Sequence, residues 1–420
     1  MKKATLIIKN AAQVLTCRSD DPQTVDLLTD AYVAIEGKRI VSVGRMRDLD
    51  GEVDTAGVAE IDATGRVVLP GFIDCHTHFV FGGSRVEEYV ARLSDNDTES
   101  LRRRGIPVGI RVTVDATRNL PYETLSRQAE QRLREMLLSG TTTVESKSGY
   151  GFTTESELKM LRINRDLESL YPVEIASTFL GAHGWPADTS KADYMRLLKE
   201  EMFPAVAEAG LAEFCDIWCD EGYYTADECR ELLGVGESLG MRPRIHAEAY
   251  SWIGGSDVAA EMRMSSSDHL NYTPCVTLKK LARAGVVGVL LPMIDFAVRH
   301  PHPFDPIPML EAELPLALAT NCCPGCWCTS MPLTIAMACR EHGMSVECAI
   351  KAATRGGAQA LARLDRIGTL EPGKQADIQI WSVSRYEDVA YRIGSPITET
   401  VLKAGVVSVS QGNLICGKGR

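Results

Sequence analysis

Short apolar strands alternate with helical segments through the middle of this 420-residue chain, and this alternation restricts the fold more than any other feature. The predicted strands are residues 141–145, 174–180, 212–218, 242–246, 288–291 and 316–320. The predicted helices are residues 122–138, 154–167, 192–209, 226–239, 277–284 and 345–361. Repeated strand-then-helix units predict a parallel sheet, and eight such units would close into a barrel.

Both ends of the chain are instead rich in predicted strands. Strand-like runs separated by turns occupy residues 4–43, and similar runs return at residues 376–409. We therefore expect the two ends to build one small β-domain together. The predicted division is residues 1–65 with 366–420 for this domain, and residues 66–365 for an α/β barrel that carries the catalytic residues.

Charge and composition exclude several classes of function. The net charge is −11 without a block of Lys or Arg, which argues against nucleic acid as a partner because such binding needs concentrated positive charge. No apolar stretch is long enough to span a membrane, and residues 1–10 predict a strand rather than a signal peptide. The 13 cysteines show no framework spacing, so we expect reduced thiols and a cytoplasmic location.

A His-x-His pair follows the apolar run at residues 67–74. His76 and His78 are one residue apart at a predicted strand end, so their side chains point the same way and can bind one divalent ion. His183, His246 and His269 also follow predicted strands. Active sites of parallel barrels lie at the carboxyl ends of the strands, and this placement predicts a metal-dependent hydrolase.

Several longer motifs resemble the amidohydrolase superfamily and, more narrowly, the imidazolonepropionase family. His-x-His and Gly-Lys-x-Ala-Asp mark the superfamily. The narrower motifs are Phe-Gly-Gly-Ser-Arg at residues 81–85, Lys-Ser-Gly-Tyr-Gly at residues 147–151 and Phe-Leu-Gly-Ala-His at residues 179–183. The resemblance runs nearly end to end. It implies a distorted TIM (β/α)8 barrel, a β-sandwich formed by both termini, and a homodimer.

The resemblance also implies a metal site and its chemistry. One ion, Zn²⁺ or Fe, would be held by His76, His78, His246 and a carboxylate that follows the last barrel strand. The family substrate is imidazolone propionate, a small anionic heterocycle, whose ring carbonyl is attacked by a metal-activated water so that the cyclic amide opens. A metal ion lowers the pKa of its bound water from 15.7 to about 7.

Individual side chains receive roles from the same resemblance. Arg85 and Tyr150 would bind the propionate or the ring, His183 would contact the ring, and His269 would polarise the attacked oxygen. A planar guanidinium suits a carboxylate, and a donor near the developing oxyanion stabilises the transition state. Glu248 is either a catalytic acid/base or a structural hydrogen-bonding carboxylate.

The sequence departs from the family at the position of the fourth ligand. Asn321 stands where the family has Asp, and an amide cannot act as a base at neutral pH. Asn321 would then be a weak oxygen ligand, or a thiolate from Cys322 or Cys323 would replace it. The alternative for these cysteines is that they are small buried residues beneath the loop.

Three functions remain open from the sequence. The first is hydrolytic opening of a five-membered imidazolone-type ring that bears a propionate. The second is a desulfhydrase that converts 3-(5-oxo-2-thioxoimidazolidin-4-yl)propionate to hydantoin propionate with release of hydrogen sulfide, because hydrosulfide leaves without the proton that an expelled ring nitrogen needs. The third is a metal-free relative that only binds a ligand.

Overall fold

Strands of two separate sheets account for much of the chain in the computed structural model, which describes residues 1–415. The strands, in chain order, are β1 (Leu6–Leu15), β2 (Leu27–Glu36), β3 (Arg39–Arg45), β4 (Ala59–Asp62), β5 (Val67–Pro70), β6 (Phe72–Asp74), β7 (Thr141–Lys147), β8 (Glu174–Ala182), β9 (Phe214–Cys219), β10 (Arg242–Pro243), β11 (Ile245–Ala247), β12 (Ser266–His269), β13 (Val287–Leu290), β14 (Leu316–Leu318), β15 (Ile378–Trp381), β16 (Thr398–Lys403), β17 (Val406–Ser410) and β18 (Asn413–Leu414).

Helices follow most strands of the central part of the chain. The α-helices are α1 (Leu49–Glu52), α2 (Val86–Ser94), α3 (Thr98–Arg103), α4 (Ile110–Asn119), α5 (Tyr122–Leu138), α6 (Thr154–Leu170), α7 (Lys191–Leu197), α8 (Phe203–Ala209), α9 (Ala226–Ser238), α10 (Gly255–Glu261), α11 (Cys275–Ala284), α12 (Pro292–Val298), α13 (Pro306–Glu311), α14 (Met331–His342), α15 (Val346–Lys351), α16 (Gly357–Ala360) and α17 (Asp388–Tyr391). Among the described residues, no helix is long and apolar enough to cross a membrane.

The predicted helices match these elements to within a few residues at each end. Two predicted single helices, at residues 192–209 and 345–361, contain π-helical turns at Leu198–Met202 and Ala352–Gly356. Each π turn joins two α-helical segments without a break in the helical path. Local periodicity predicts the helical path well but does not reveal such turns, because one extra residue per turn barely changes the apolar pattern.

The central strands form a parallel barrel, as the sequence predicted. Their order is β14-β13-β12-β11-β9-β8-β7-β6, with β10 paired to β9, and all these pairs are parallel. Thr320, two residues after β14, joins that strand to Asp74, the last residue of β6. Its backbone N–H and its hydroxyl both donate to the Asp74 carboxylate, at 3.0 and 2.6 Å. The barrel is thus nearly closed, and the residues after β6 and β14 lie side by side.

Both chain ends contribute to the second sheet, which confirms the predicted α/β barrel with a β-domain from both termini. The sheet runs β18-β17-β16-β15-β5-β1-β2-β3, with β4 paired to β1, and the antiparallel pair β5–β15 connects the two ends of the chain. The division at residues 65/66 and 365/366 remains a prediction. It assigns β5 to the barrel, whereas β5 pairs within the terminal sheet, and residues 416–420 lie outside the described residues.

Gly71 marks the point where the chain passes from the terminal sheet into the barrel. Its N–H donates to the Asp377 carbonyl at 2.9 Å, and a Cβ atom at this position would lie 2.3 Å from the side chain of Thr142. A larger residue would therefore push the two sheets apart. The close approach fixes where β6 starts and thereby where His76 and His78 emerge from the barrel.

Candidate active site

The histidines that follow β6 lie beside the loop that follows β14. The N–H of Asn321 donates to the His76 carbonyl at 3.1 Å, and the N–H of His78 donates to the Cys322 carbonyl at 2.8 Å. These two hydrogen bonds cross the barrel seam in both directions. They place Asn321 next to the His-x-His pair although the two segments are far apart in the sequence.

Five histidines converge at this end of the barrel. The ring centroids of His76 and His246 are 4.5 Å apart, those of His78 and His183 are 5.0 Å apart, and those of His246 and His269 are 5.4 Å apart. The histidines form two groups, His76/His246/His269 and His78/His183/His246. Within each group, one ring nitrogen from every member lies within 4.8 Å of the others, so each group could hold a metal ion. His246 belongs to both groups.

Two buried carboxylates orient the central histidines. His76 Nδ1 is 2.6 Å from Asp268 Oδ2, and His246 Nδ1 is 3.1 Å from Asp216 Oδ1. A carboxylate accepts hydrogen bonds, so each imidazole carries its proton on Nδ1 and keeps the lone pair on Nε2. Metal-binding histidines are usually held in this way by a carboxylate on the other ring nitrogen.

A buried ammonium compensates the charge of these carboxylates. Lys147 Nζ donates to Asp216 at 2.7 Å and to Glu145 at 2.8 Å, and it lies 3.7 Å from Asp268. Arg244 adds a second positive charge at 3.1 Å from Asp268. Burial alone would raise the pKa of Asp216, but His246 and Lys147 hold it well below its usual value. The acid is therefore an anion in the folded protein.

Four of the five histidines are neutral in this environment. Burial, reinforced by neighbouring positive groups, lowers the pKa of His76, His78 and His269 well below the usual value, and it lowers the pKa of His183 to about 3. A neutral imidazole has a free lone pair, which is the form that binds a metal. The electrostatics of the cluster are thus compatible with metal ligation at neutral pH.

Three buried polar atoms in this cluster have no hydrogen-bond partner among residues 1–415. They are His76 Nε2, His78 Nδ1 and Asn321 Oδ1. Buried polar atoms without a partner are rare in native proteins, and a set of imidazole nitrogens with one carbonyl oxygen suits a first-row divalent metal. The chemistry of these donors therefore suits a metal ion, and His76 and His78 belong to different groups of neighbouring ring nitrogens.

A cavity of about 630 Å³ opens in front of the histidines. Of the residues predicted from the sequence, its lining contains His78, Arg85, Tyr150, His183, His246, His269 and Asn321. His76 is fully buried behind them. Aromatic side chains that the sequence analysis had not selected, Trp218, Tyr223 and Tyr250, complete the wall.

Arg85 and Tyr150 both line the cavity, and the Tyr150 ring centroid lies 5.7 Å from that of His78 and 5.2 Å from that of His183. Arg85 Nε donates to Glu88 at 2.8 Å, so its two terminal nitrogens remain for other acceptors. Tyr150 is buried, and burial raises the pKa of its hydroxyl well above the usual value, so the phenol is neutral. Glu157, which sequence reasoning missed, shapes the Tyr150 loop by accepting the N–H groups of Gly149 and Gly151 at 2.7 Å each.

Glu248 does not reach the cavity lining. Its carboxylate accepts the Ser256 N–H at 3.0 Å, together with the hydroxyls of Ser256 and Thr273. Its backbone has φ +60°, and the hydrogen bonds stabilise this turn. These hydrogen bonds occupy the Glu248 carboxylate, and its catalytic role remains a prediction. The acid that contacts the His246 ring is Asp216, which lies inside the apolar strand β9.

The two cysteines after Asn321 have different surroundings. Cys322 is fully buried in the main hydrophobic core, whereas Cys323 lines the cavity. Burial raises the pKa of both thiols, so both are protonated. Within residues 1–415, the side-chain groups that could hold a metal contain histidines and neither cysteine.

Family models match two parts of the chain. Both are described as amidohydrolase family, and they cover residues 265–408 and 59–104. The imidazolonepropionase of Geobacillus kaustophilus (strain HTA426) is 40% identical over 415 residues, which is 98% of this chain and 96% of the relative. The imidazolonepropionase of Clostridium tetani (strain Massachusetts / E88) is 37% identical over 96% of this chain and 98% of the relative.

Solved structures share the fold at much lower identity. An adenosine deaminase from Xanthomonas campestris with bound zinc superposes with a TM-score of 0.73 at 19% identity, covering 99% of this chain and 95% of the other. An atrazine chlorohydrolase from Arthrobacter aurescens complexed with zinc gives a TM-score of 0.69 at 18% identity, covering 98% and 97%. Taken with the near-complete matches above, these findings establish that the chain is a hydrolase and belongs to the imidazolonepropionase family of the amidohydrolases.

Proposed function

We propose that this protein opens the five-membered ring of imidazolone propionate by hydrolysis of the cyclic amide. The observation that carries the proposal is the convergence of five histidines at one cavity that is also lined by Arg85, whose terminal nitrogens have no acceptor among the described residues. The imidazole cluster supports attack on a ring carbon, and the arginine supports recognition of a carboxylate. The names of the curated relatives support the same substrate.

One metal ion, Zn²⁺ or Fe, would be held by His76, His78, His246 and Asn321. When bound, such an ion lowers the pKa of a water molecule so that it becomes a nucleophile near neutral pH. Asp268 and Asp216 keep the imidazoles of His76 and His246 in the required tautomer by accepting from Nδ1. These contacts would also hold the rings in place before the substrate arrives.

The other cavity residues bind and orient the substrate in this proposal. Arg85 would bind the propionate with its two terminal nitrogens, and a bidentate pair of this kind fixes direction as well as distance. Tyr150 and His183 would contact the ring. His269 would donate an N–H to the ring oxygen as negative charge develops there, which is the electrostatic stabilisation that acyl-transfer sites require.

A second candidate function follows from Asn321. Ring opening expels a nitrogen that must gain a proton, and the Asn321 amide cannot transfer one. A 2-thioxo ring avoids this requirement because hydrosulfide is a stable anion near neutral pH. The second candidate is therefore conversion of 3-(5-oxo-2-thioxoimidazolidin-4-yl)propionate to hydantoin propionate with release of hydrogen sulfide. A metal-free ligand-binding protein has no such support.

Direct assays distinguish the two candidates. The purified protein is incubated with imidazolone propionate or with the thioxo compound, while ring absorbance and free sulfide are both measured. Loss of the imidazolone absorbance supports ring opening, and sulfide release supports the second candidate. Turnover of neither compound by metal-loaded protein would contradict both. Assembly as a homodimer and location in the cytoplasm remain predictions.

A further inference from the structure

An acidic side chain lies between two arginines at the mouth of the cavity. Glu88 is only 3% exposed. Its Oε2 accepts Arg85 Nε at 2.8 Å and the Gly109 N–H at 3.0 Å, and its Oε1 accepts Arg92 Nε at 2.9 Å. The three side chains are spaced i, i+3 and i+7, from the residue before α2 to its last turn, so they share one helix face.

The two arginines differ in how many of their guanidinium nitrogens donate to protein groups. Arg92 Nη1 donates to the carbonyl and the side-chain oxygen of Asn96 at 3.2 Å each, and Arg92 Nη2 donates to Thr98 at 3.0 Å. Arg85 makes its hydrogen bond through Nε alone within the described part of the chain. Arg92 is therefore occupied by protein groups, and Arg85 has two unoccupied terminal nitrogens at the cavity.

We infer that Glu88 is a positioning residue that sets the plane of the Arg85 guanidinium for the substrate carboxylate. The inference rests on the proposed function. A guanidinium is planar, so fixing Nε fixes the direction of both terminal nitrogens. Arg92 and Gly109 hold Glu88 from the other side, so the carboxylate cannot follow a rotating Arg85. The substrate then meets a prearranged pair of donors.

If Glu88 acted only through its negative charge, replacing it with a neutral residue would strengthen substrate binding, whereas loss of a positioning residue would weaken it. The negative charge of Glu88 lies near the expected position of the substrate carboxylate and repels it. Neutralising it would strengthen binding by about twofold to threefold if nothing else changed, because charges several ångströms apart interact weakly at a solvated mouth. Loss of a prearranged charged hydrogen-bond pair weakens binding by about tenfold or more. The sign of the change in KM therefore separates the two roles.

The test uses Glu88→Gln and the matched control Glu87→Gln. Glu87 is exposed on the same helix, so its substitution makes the same change in charge without touching Arg85. KM and kcat are measured with the propionate substrate that the wild-type enzyme turns over and with its propionamide. For Glu88→Gln we expect KM for the propionate to rise about tenfold, with kcat within about twofold and the propionamide kinetics nearly unchanged.

Glu88→Asp provides a second, charge-conserving variant. It is one methylene shorter and cannot hold Arg85, Arg92 and Gly109 together, so KM for the propionate should rise as well. A fall or no change in KM for Glu88→Gln, or wild-type KM for Glu88→Asp, would overturn the inference. If wild-type protein turns over neither candidate propionate, the proposed function fails instead, and that outcome is recognised before any variant is made.

Discussion

His78 Nε2 lies 3.4 Å from His246 Nε2, although the two residues are 168 positions apart in the chain. The carboxylate of Asp216 holds the Nδ1 proton of His246, so His246 presents a lone pair to the other ring. Two imidazole nitrogens brought this close in a buried site are well placed to share a cation. The geometry thus connects the barrel closure to the proposed metal chemistry.

Removal of the metal should lower the stability of the fold. A ligand that binds only the native state at one hundred times its Kd raises the free energy of unfolding by about 2.7 kcal/mol. We expect chelated protein to unfold at lower temperature and to recover on addition of Zn²⁺ or Fe²⁺. His246→Ala should lose this response and the bound metal, whereas His302→Ala, outside the cluster, should keep both. Equal metal content in the two variants would count against the assigned ligands.

Asp216→Asn should weaken metal binding without removing a ligand. The amide no longer fixes the proton on His246 Nδ1 and no longer neutralises Lys147. Loss of such a supporting carboxylate typically costs about 10-fold to 100-fold in metal affinity. Competition with a chromogenic chelator measures the effect. Glu221→Gln, an exposed acid after the same strand, is the control, and an unchanged affinity for Asp216→Asn would refute the orienting role.

Asn321→Asp should change which reaction is favoured. The carboxylate restores a group that can take and pass on a proton, so ring opening of imidazolone propionate should increase if that transfer is what the protein lacks. Both activities are measured side by side by ring absorbance and sulfide release. No gain in ring opening together with loss of sulfide release would favour the desulfhydrase. Asn321→Ala, which supplies neither oxygen ligand nor base, separates the loss of a ligand from the gain of a base.

Arg85→Ala should impair recognition of the propionate. A charged hydrogen-bond pair contributes about 1.5–3 kcal/mol, which corresponds to an increase in KM of about 10-fold to 100-fold. The propionamide analogue should show a much smaller change because it lacks the negative charge. Steady-state kinetics with both compounds tests this. Arg85 would lose its assigned role if KM for the propionate stayed at the wild-type value.

Glu174 should make the free energy of unfolding depend on pH in the acidic range. Burial alone would raise the pKa of Glu174, but Arg363, Lys403 and Arg366 lower it to about 2. A carboxyl with a depressed pKa in the folded state stabilises the protein above its unfolded pKa of about 4.3, and this contribution is lost as the pH falls toward about 2. Because solvent screens part of the interaction, Glu174→Gln should cost about 1–3 kcal/mol at pH 7.

Urea unfolding of wild type and Glu174→Gln at several pH values measures this difference. The difference in unfolding free energy between wild type and Glu174→Gln should be largest at pH 7 and should decrease steadily below about pH 4.3. Glu341→Gln, at an exposed position of α14, controls for loss of one negative charge. A gap that stays constant between neutral and acidic pH would show that the ion pairs of Glu174 do not contribute as argued.

The amino-acid sequence alone predicted the α/β barrel and the β-domain from both termini. It also predicted the strand ends at which the histidines lie. These features depend on local periodicity and on motifs such as His76-Thr77-His78, which a short stretch of chain specifies. Parallel strands bring their carboxyl ends to one edge, so the approach of His76, His246 and His269 could be predicted before any contact was known.

The acids that serve these histidines became apparent only in the folded protein. Asp216 is a single acid without a spacing signal, and its role comes from partners on other strands. Glu248 lies two residues after His246, yet Ser256 and Thr273 occupy its carboxylate. Hydrogen bonds between distant segments depend on barrel closure, which a linear pattern does not encode. The sequence therefore predicted where the site lies, whereas the tertiary structure decided which acids orient its histidines.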